Sequence, residues 1–314
     1  MTTTRNLEIR SRVLRACREF FWQAGFWEVE TPVRIAAPAP ELHIDAPASG
    51  NAWLRTSPEL HMKRLLADGC ERIFQIGPCF REGERGRCHN PEFTLLEWYR
   101  TPADYSDILR DCRELLAYVI RRVAGGATFR YAGQTIDMSA PWKILTVRDA
   151  FRAYAGWDPV ASFDPDRFDL DLVDKVEPRL PVDRPCVLTD YPAPAAALAR
   201  LKPGDPSVAE RWELYLVGME LANAYSELTD AAAQRKRFER CNAERLQNGK
   251  PAYPLDEPFL QALAGGLPPC GGIALGIDRL VMALCDAREI DEVRPIDIFS
   301  TTRACVRCSR VAAP

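Results

Sequence analysis

The sequence predicts an α+β protein in which antiparallel strands form a sheet and helices flank it. Strand-like runs at 73–80 and 93–99 lie on either side of a polar, turn-rich segment, and 211–227 contains two more strands joined near Val217-Gly218. Both pairs are expected to be antiparallel, the first with a long loop and the second with a tight turn. Residues 5–24 place their apolar side chains on one stripe at helical spacing, and 104–123 also predict a helix.

The remaining elements follow in chain order. Gly25 ends the first helix at its C′ position, a strand starts at 26–30, a loop rich in Pro, Ala and Gly covers 36–50, and a helix covers 59–68. We expect a strand at 144–147, a helix from Asp149, a buried strand at 186–192 and a polar helix at 230–248. Residues 124–180 are therefore mixed, and the acidic stretch that ends them shows little pattern. A Gly-rich strand at 271–277 runs into a helix from Asp278.

Composition excludes several classes of protein. The 314 residues are 47% hydrophobic and 27% charged, with a net charge of −3, which is ordinary for a folded protein and excludes bulk disorder. There is no run of 18 apolar residues, no signal-peptide core and no long basic run, so we expect no membrane span and no broad nucleic-acid surface. We therefore predict one cytoplasmic domain over 1–314.

Eleven cysteines without a regular spacing indicate reduced thiols that act as small apolar filler. The one CxxC pair, Cys305 and Cys308, has no second pair to complete a zinc site. We expect 301–314 to be a flexible tail.

The first block with chemical potential is FREGERGRCHNPEFTLLEWY at 80–99. An arginine at a strand end, such as Arg81, can grip a phosphate through two parallel N–H bonds, and Phe93 offers a flat face to a base. The alternative is a solvated hairpin loop, and the spacing alone does not choose between them.

The second block is ELYLVGMELANAYSE at 213–227. Glu213 and Glu220 are symmetric about a turn between Leu216 and Val217, which predicts that they are cross-strand neighbours. Two like charges repel unless a cation lies between them, and carboxylate plus phosphate oxygens are the usual surroundings of Mg²⁺. Strict alternation separates Glu220 from Asn223, so a shared site requires a bulge between them. The alternative is that both glutamates lie on a solvent-exposed face of the sheet without a function.

The third block is GGIALGIDRLVM at 271–282. Its glycines suit a close approach of the backbone to a ligand or, alternatively, tight strand packing. Arg279 in the first turn of the helix opposes the macrodipole, so we expect an anionic partner there.

In this order the blocks resemble the signature motifs of class II aminoacyl-tRNA synthetases. GFWEVETP at 25–32 is similar to motif 1, which forms the dimer interface in that family, 80–99 to motif 2 and GGIALGIDRL to motif 3. TSPELHMKRL, HNPEFT, TDYP and ELANAYSEL resemble the lysyl branch. The resemblance implies a class II antiparallel sheet flanked by helices, with ATP as substrate and Mg²⁺ as cofactor. It also implies a homodimer. We expect an exposed aromatic cluster at the dimer interface, made of Phe20, Phe21, Trp22, Phe26 and Trp27.

Only 24 residues precede Gly25, so no N-terminal anticodon-binding domain is expected. Three features resemble the elongation factor P–(R)-β-lysine ligases. They are the free-standing catalytic core, the sequence LEWYR at the end of the motif 2 segment, and Ala274 where lysyl-tRNA synthetases usually have glycine. That resemblance implies activation of lysine or (R)-β-lysine as an adenylate, followed by transfer to a lysine of elongation factor P. The second hypothesis is transfer to a tRNA or to a small acceptor, and the absence of the anticodon-binding domain argues against tRNA. The third hypothesis is a non-catalytic regulator.

The resemblance also implies roles for individual residues. Arg81 and Arg279 would be catalytic, with Arg81 at the α-phosphate and the substrate carboxylate and Arg279 at the γ-phosphate, and Glu213 and Glu220 would hold Mg²⁺. The expected ATP-binding residues are Arg81, Glu82, Gly83, Glu84, His89, Asn90, Phe93, Glu220, Leu221, Gly276 and Arg279. The expected amino-acid-binding residues are Ser57, Pro58, Glu59, Glu97, Tyr99, Asn223, Glu227 and Ala274, with Glu59 at one substrate amine and Glu97, Tyr99, Asn223 and Glu227 at the side-chain amine.

The sequence departs from the family directly after Arg81. The family has Arg-Asn-Glu or Arg-Asp-Glu there, whereas this chain has Arg81-Glu82-Gly83-Glu84. The glutamate that normally meets the adenine edge is therefore Gly83, and which of residues 82–84 replaces it stays open.

Overall fold

A computed structural model describes residues 2–296. The helices are α1 (Thr4–Gln23), α2 (Glu59–Ala67), α3 (Tyr105–Ala124), α4 (Val147–Tyr154), α5 (Pro165–Asp171), α6 (Ala231–Gln247), α7 (Glu257–Ala264) and α8 (Ile277–Cys285). The tail expected at 301–314, with Cys305 and Cys308, lies outside the described residues. Between residues 2 and 296 no helix is both long and apolar enough to cross a membrane.

The strands are β1 (Trp27–Glu28), β2 (Arg34–Ile35), β3 (Ala48–Ser49), β4 (Ala52–Leu54), β5 (Arg72–Phe80), β6 (Glu92–Arg100), β7 (Thr128–Tyr131), β8 (Gln134–Asp137), β9 (Lys143–Thr146), β10 (Cys186–Pro192), β11 (Leu201–Lys202), β12 (Asp205–Leu216), β13 (Met219–Ser226) and β14 (Gly271–Gly276). Nine of them form one sheet in the order β1-β5-β6-β14-β13-β12-β10-β9, with β11 beside β12. Its central pairs are antiparallel, whereas β1–β5 and β9–β10 at the two ends are parallel. The predicted α+β fold is confirmed.

Successive side chains of the central strands point to opposite faces of the sheet, as strand geometry requires. Leu96 and Trp98 of β6 and Ile273 of β14 belong to the core cluster that also contains side chains of α1, α3 and α8. The intervening residues face the other side. There, Glu97, Ala274, Asn223 and Glu213 lie in direct register on four adjacent strands.

Most predicted elements are present within two residues of their expected bounds, and the hairpin around 217–218 is confirmed. The acidic stretch that ends at 180, where the sequence shows little pattern, is helical, because α5 continues into π- and 3₁₀-helical turns at 172–179. Earlier in the mixed region, β7 pairs with β8. A signal was available, since Asp164 caps α5 and Pro165 occupies its first turn.

The aromatic corner at 20–27 is only partly exposed. Phe21 and Phe26 are buried in the core, and Phe20 packs against it, so these rings were wrongly expected at the surface. Trp22 and Trp27 remain 56% and 67% exposed. The structure therefore leaves two large rings, rather than five, to an outer surface.

Five cysteines are fully buried, namely Cys17, Cys79, Cys112, Cys186 and Cys270, and the cysteines of the described part of the chain are free thiols. Burial raises the pKa of the Cys17 and Cys79 thiols to about 12. These cysteines serve as apolar filler, as the sequence predicts.

Gly272 of β14 has no room for a side chain. A Cβ atom there would lie 2.1 Å from Cε1 of Tyr99 and 2.5 Å from Oε1 of Glu227. We expect Gly272→Ala to lower the free energy of unfolding by roughly 1–3 kcal/mol, because overpacking forces neighbouring groups to shift. Urea denaturation checks this, with Gly276→Ala on the same strand as the control, since its nearest contact would be an ordinary 3.8 Å. Equal stability of the two variants would contradict the prediction.

Candidate active site

A cavity of about 1140 Å³ lies on the polar face of the sheet. The central strands form its floor, and its walls include residues of α5, α6 and the loop at 40–44. The predicted site residues that line it are Ser57, Glu59, Arg81, Glu84, His89, Asn90, Phe93, Glu97, Tyr99, Glu213, Glu220, Leu221, Asn223, Ala274, Gly276 and Arg279. Pro58, Glu82, Gly83 and Glu227 are outside this lining.

One end of the cavity carries two arginines. The Arg81 guanidinium lies 5.0 Å from the centroid of the Phe93 ring and 3.7 Å from a carboxylate oxygen of Glu84. Arg279 donates to the Glu220 carbonyl at 2.6 Å and lies 2.8 Å from Nε2 of His89. A guanidinium only donates, so His89 accepts and is neutral. Burial, followed by the Arg279 charge, lowers the pKa of His89.

The segment that departs from the family pattern places one side chain in the cavity. Glu84 lines the cavity, whereas the Glu82 side chain and Gly83 are exposed outside it. Gly83 has a φ of +74°, which glycine adopts readily and other residues rarely. Asn90 is buried and its Oδ1 accepts from the Glu92 N–H at 3.2 Å, so it also stabilises the turn into β6.

The predicted cross-strand pairing of Glu213 with Glu220 is wrong. Glu220 pairs with Tyr215 and Glu213 with Asn223, because the turn is centred one residue later than expected and the register shifts between Leu214 and Tyr215. The extra residue on β13 is Leu221, so the bulge required between Glu220 and Asn223 is present. Both glutamates still line one cavity.

The two glutamates have different partners. Glu213 pairs with Arg211 at 2.6 Å and accepts from the Tyr215 hydroxyl at 2.8 Å. Glu220 lies 3.3 Å from Arg279 and its side chain is 40% exposed. Burial and then the Glu213 charge raise the pKa of Glu220. Negative charge at this position is therefore only partly balanced by the protein.

The other end of the cavity is acidic. Glu97 is completely buried and accepts from the Ser57 hydroxyl at 2.7 Å and the Tyr99 hydroxyl at 3.0 Å. Burial, followed by repulsion from Glu59, raises the pKa of Glu97 to about 7. A cation beside Glu97 would stabilise its charged form.

Glu59 and Glu227 are not free carboxylates. The buried ammonium of Lys63 lies 2.5 Å from an oxygen of each. Burial lowers the pKa of Lys63, but the two carboxylates outweigh this and raise it. The sequence reasoning missed Lys63, although it lies four residues after Glu59 on α2, the spacing at which opposite charges pair on a helix.

The centre of the floor has one unsatisfied polar atom. Oδ1 of Asn223 is buried and has no hydrogen-bond partner within the described structure. A buried acceptor without a donor is costly, so this position favours a ligand that donates. Ala274 lies between Asn223 and Glu97 in the register, and its methyl group is the side chain nearest to both on β14.

The sequence did not mark several charged residues of the cavity, of which three stand out. Arg211 lies 4.3 Å from the Tyr191 ring centroid and pairs with Glu213. Glu177 hydrogen-bonds with Tyr215 at 3.1 Å, and burial raises its pKa to about 7. Glu41 comes from the loop at 36–50, where no pattern marked it.

Comparison with known proteins decides the family. The model of the tRNA synthetases class II (D, K and N) matches residues 1–298. The chain belongs to this class II synthetase family. The family's members are ligases, and the predicted resemblance of 25–32, 80–99 and 271–282 to its three motifs fits this membership.

Two kinds of relative resemble this synthetase-family chain. It is 40% identical to the elongation factor P–(R)-β-lysine ligase of Klebsiella pneumoniae (strain 342), over 92% of the chain and 93% of the relative, and 37% identical to that of Proteus mirabilis (strain HI4320), over 94% and 95%. It is 38% identical to the lysine–tRNA ligase of Moorella thermoacetica, over 94% of the chain. The chain spans only 64% of that ligase's length.

The raised pKa of Glu97 predicts a pH-dependent stability. Folding favours protonated Glu97, so its contribution is fully present below the ordinary glutamate pKa and is lost as pH rises through about 7. We expect the free energy of unfolding of Glu97→Gln to fall less steeply between pH 5 and about 7 than that of the wild type, by up to about 1.4 kcal/mol per pH unit.

Urea denaturation across this pH range measures the difference in slope. Glu8→Gln, on the exposed side of α1, is the control and should keep the wild-type slope. If Glu97→Gln also kept it, Glu97 would be ionised throughout the range.

Proposed function

We propose that the chain uses ATP to activate lysine or (R)-β-lysine as an aminoacyl-adenylate and transfers the acyl group to a lysine side chain of elongation factor P. The observation that carries this proposal is the distribution of charge in one cavity, with Arg81 and Arg279 at one end and Glu97 at the other. A cationic side chain and a polyphosphate are the ligands that such a cavity complements. The identity to elongation factor P–(R)-β-lysine ligases over nearly their whole length supports it.

In the first step an oxygen of the substrate carboxylate attacks the α-phosphorus of ATP, and the bond from that phosphorus to pyrophosphate breaks. Arg81 would bind the α-phosphate and the carboxylate, and Arg279 the γ-phosphate. Phe93 would stack on adenine and Glu84 would replace the missing family glutamate at its edge. These arginines would act by positioning the reactants and offsetting the charge that develops.

In the second step the neutral amine of the acceptor lysine attacks the adenylate carbonyl. The bond to AMP breaks and the amine loses a proton as the amide forms. This chain therefore needs no side-chain nucleophile for either step, and its contribution is to hold the adenylate in place.

Glu213 and Glu220 fit a magnesium ion. Both carboxylates line the phosphate end of the cavity. Burial and the Glu213 charge raise the pKa of Glu220, which supports a cation between them. Mg²⁺ prefers one or two carboxylates together with phosphate oxygens. The bound ion would offset phosphate charge there.

A lysine–tRNA ligase-like activity is the second candidate, favoured by the 38% identity to the Moorella thermoacetica enzyme. Incubation of the activated amino acid with elongation factor P or with tRNA separates the two acceptors. Label recovered in tRNA alone would overturn the proposed acceptor.

We also propose that 1–314 forms one cytoplasmic catalytic domain that assembles as a homodimer. The exposed Trp22 and Trp27 beside the segment similar to motif 1 support the dimer, since large apolar rings at a surface often mark an interface. Light scattering that gave the monomer mass at micromolar concentration would contradict the dimer.

Exchange of label between pyrophosphate and ATP tests adenylation directly. We expect Glu220→Gln to abolish lysine-dependent exchange, because it removes a magnesium ligand, while the unfolding temperature holds or rises because the raised pKa of Glu220 already disfavours its charge. Glu239→Gln, on the exposed side of α6, is the control and should exchange normally. Near-normal exchange by Glu220→Gln at saturating Mg²⁺ would contradict its role.

The methyl group of Ala274 lies between two proposed amino-acid-binding residues, Glu97 and Asn223. We expect Ala274→Gly to shift preference from (R)-β-lysine toward lysine, since a methylene-sized mismatch changes discrimination by about 10–200-fold. The measurement is the ratio of kcat/KM for the two isomers.

Ala224→Gly removes a methyl group from the opposite, core-facing side of β13 and is the matched control. Its ratio should equal that of the wild type. A ratio that stays within twofold for Ala274→Gly would contradict the proposed role of Ala274, whatever happened to overall activity.

A further inference from the structure

Residues 41–46, which we call the strap, cross one side of the cavity and are fixed by buried charge. The side chain of Arg245 is fully buried and donates to the carbonyls of Glu41 and Ile44, at 2.6 and 3.2 Å, and to the Asp45 carboxylate at 2.8 Å. Lys250 donates to the other Asp45 oxygen at 2.8 Å. The backbone of the strap therefore has a fixed position relative to α6.

The strap is also joined to the phosphate end of the cavity. The Glu82 N–H, next to Arg81, donates to the Asp45 carbonyl at 2.7 Å. The Tyr253 hydroxyl accepts from the Ala46 N–H at 2.9 Å, and its ring lies 4.2 Å from the Arg245 guanidinium carbon. Contacts on two sides thus hold the strap against the cavity.

Glu41 is the acidic residue that the strap presents to the cavity. Its carbonyl is held by Arg245, but its carboxylate has no hydrogen bond or ion pair with any side chain between residues 2 and 296. The charged groups that act on it most strongly are Arg81, Glu59, Arg211 and Glu84. It lines the cavity from a strap whose Asp45 carbonyl accepts from the Glu82 N–H beside Arg81, and burial raises its pKa to about 7.

The other carboxylates near the amino-acid end are already engaged. Glu59 and Glu227 share the single ammonium of Lys63, and Glu97 lies at the far end with Ser57 and Tyr99. A diamino acid whose carboxylate is at Arg81 must place its nearer amine only one or two carbons from that point. Glu41 is the uncommitted carboxylate on that side of the cavity.

We infer that Glu41 is a specificity-determining residue that receives the substrate amine nearest to the reacting carboxylate. This inference rests on the proposed adenylation of lysine or (R)-β-lysine. It assigns the near amine to the strap and leaves the far amine to Glu97 and Asn223. The family resemblance implies Glu59 at the near amine, and Glu41 would add a second carboxylate there from a different part of the chain.

The experiment removes one amine at a time from the substrate and the charge from Glu41. ATP–pyrophosphate exchange is measured for the lysine isomer that the wild type prefers and for 6-aminohexanoate, which lacks the near amine. The third substrate lacks the far amine, and it is 2-aminohexanoate if lysine is preferred and (R)-3-aminohexanoate if (R)-β-lysine is preferred. The variants are Glu41→Gln, Glu41→Asp and Glu244→Gln. Glu244 lines the same cavity from α6 but pairs with Arg240 at 3.6 Å, which makes it the matched control.

We expect Glu41→Gln to reduce the preference for the diamine over 6-aminohexanoate by about tenfold or more, the usual range for a lost hydrogen bond to a charged group. The preference over the substrate that lacks the far amine should stay within twofold of the wild-type value. Glu41→Asp keeps the charge and should retain more of the near-amine preference than Glu41→Gln. Glu244→Gln should leave both preferences unchanged.

Two results would overturn the role of Glu41 while leaving the proposed function intact. One is an unchanged near-amine preference in Glu41→Gln. The other is an equal fall of both preferences, which would indicate a general structural effect. A wild-type chain that exchanges with none of the amino acids would instead overturn the proposed function, and the inference with it.

Discussion

The direct register of four central strands is the constraint on which the candidate site depends. Glu97, Ala274, Asn223 and Glu213 are cross-strand neighbours because β6, β14, β13 and β12 pair without a slip at that row. A shift of one residue in any strand would send its side chain to the apolar face. The large buried residues on that face, such as Trp98 and Trp212, make such a shift expensive. The hydrophobic core thereby specifies where the polar side chains lie.

Charge within the cavity follows from this geometry. The sheet holds acidic side chains in a buried place, and the protein offsets only some of them, through Lys63 and Arg211. Within residues 2–296, Glu97 and Glu41 have no cationic partner of their own, and their pKa values are raised. Internal ion pairs thus divide the carboxylates into those that shape the cavity and those that remain available to a ligand.

Local patterns were sufficient for much of the fold. The apolar stripe of α1, the alternation in β5 and β6 and the glycines before α8 each signal their own structure, and their relation to a known family brings the site residues together. The hairpin itself was predictable, but the partners of Glu213 and Glu220 were not, because the register shift at Leu221 depends on packing across the sheet. Ion pairs between residues far apart in the sequence were also not predictable from local patterns.

Lys63 and Glu41 illustrate the two kinds of omission. Lys63 was detectable by its helical spacing from Glu59, but its second partner, Glu227, is distant in the sequence. Glu41 lies in a loop without periodicity and is placed by Arg245, some two hundred positions later. Nothing short of the tertiary structure connects those two residues.

The buried thiols can report local unfolding of the elements that contain them. Only the thiolate reacts with alkylating reagents, and burial keeps Cys17, Cys79 and Cys112 protonated and enclosed. Cys17 lies on α1, Cys79 on β5 and Cys112 on α3, so each samples a different element of the core. The rate at which each thiol becomes labelled therefore measures how often its own element opens under native conditions, without any foreign probe being introduced.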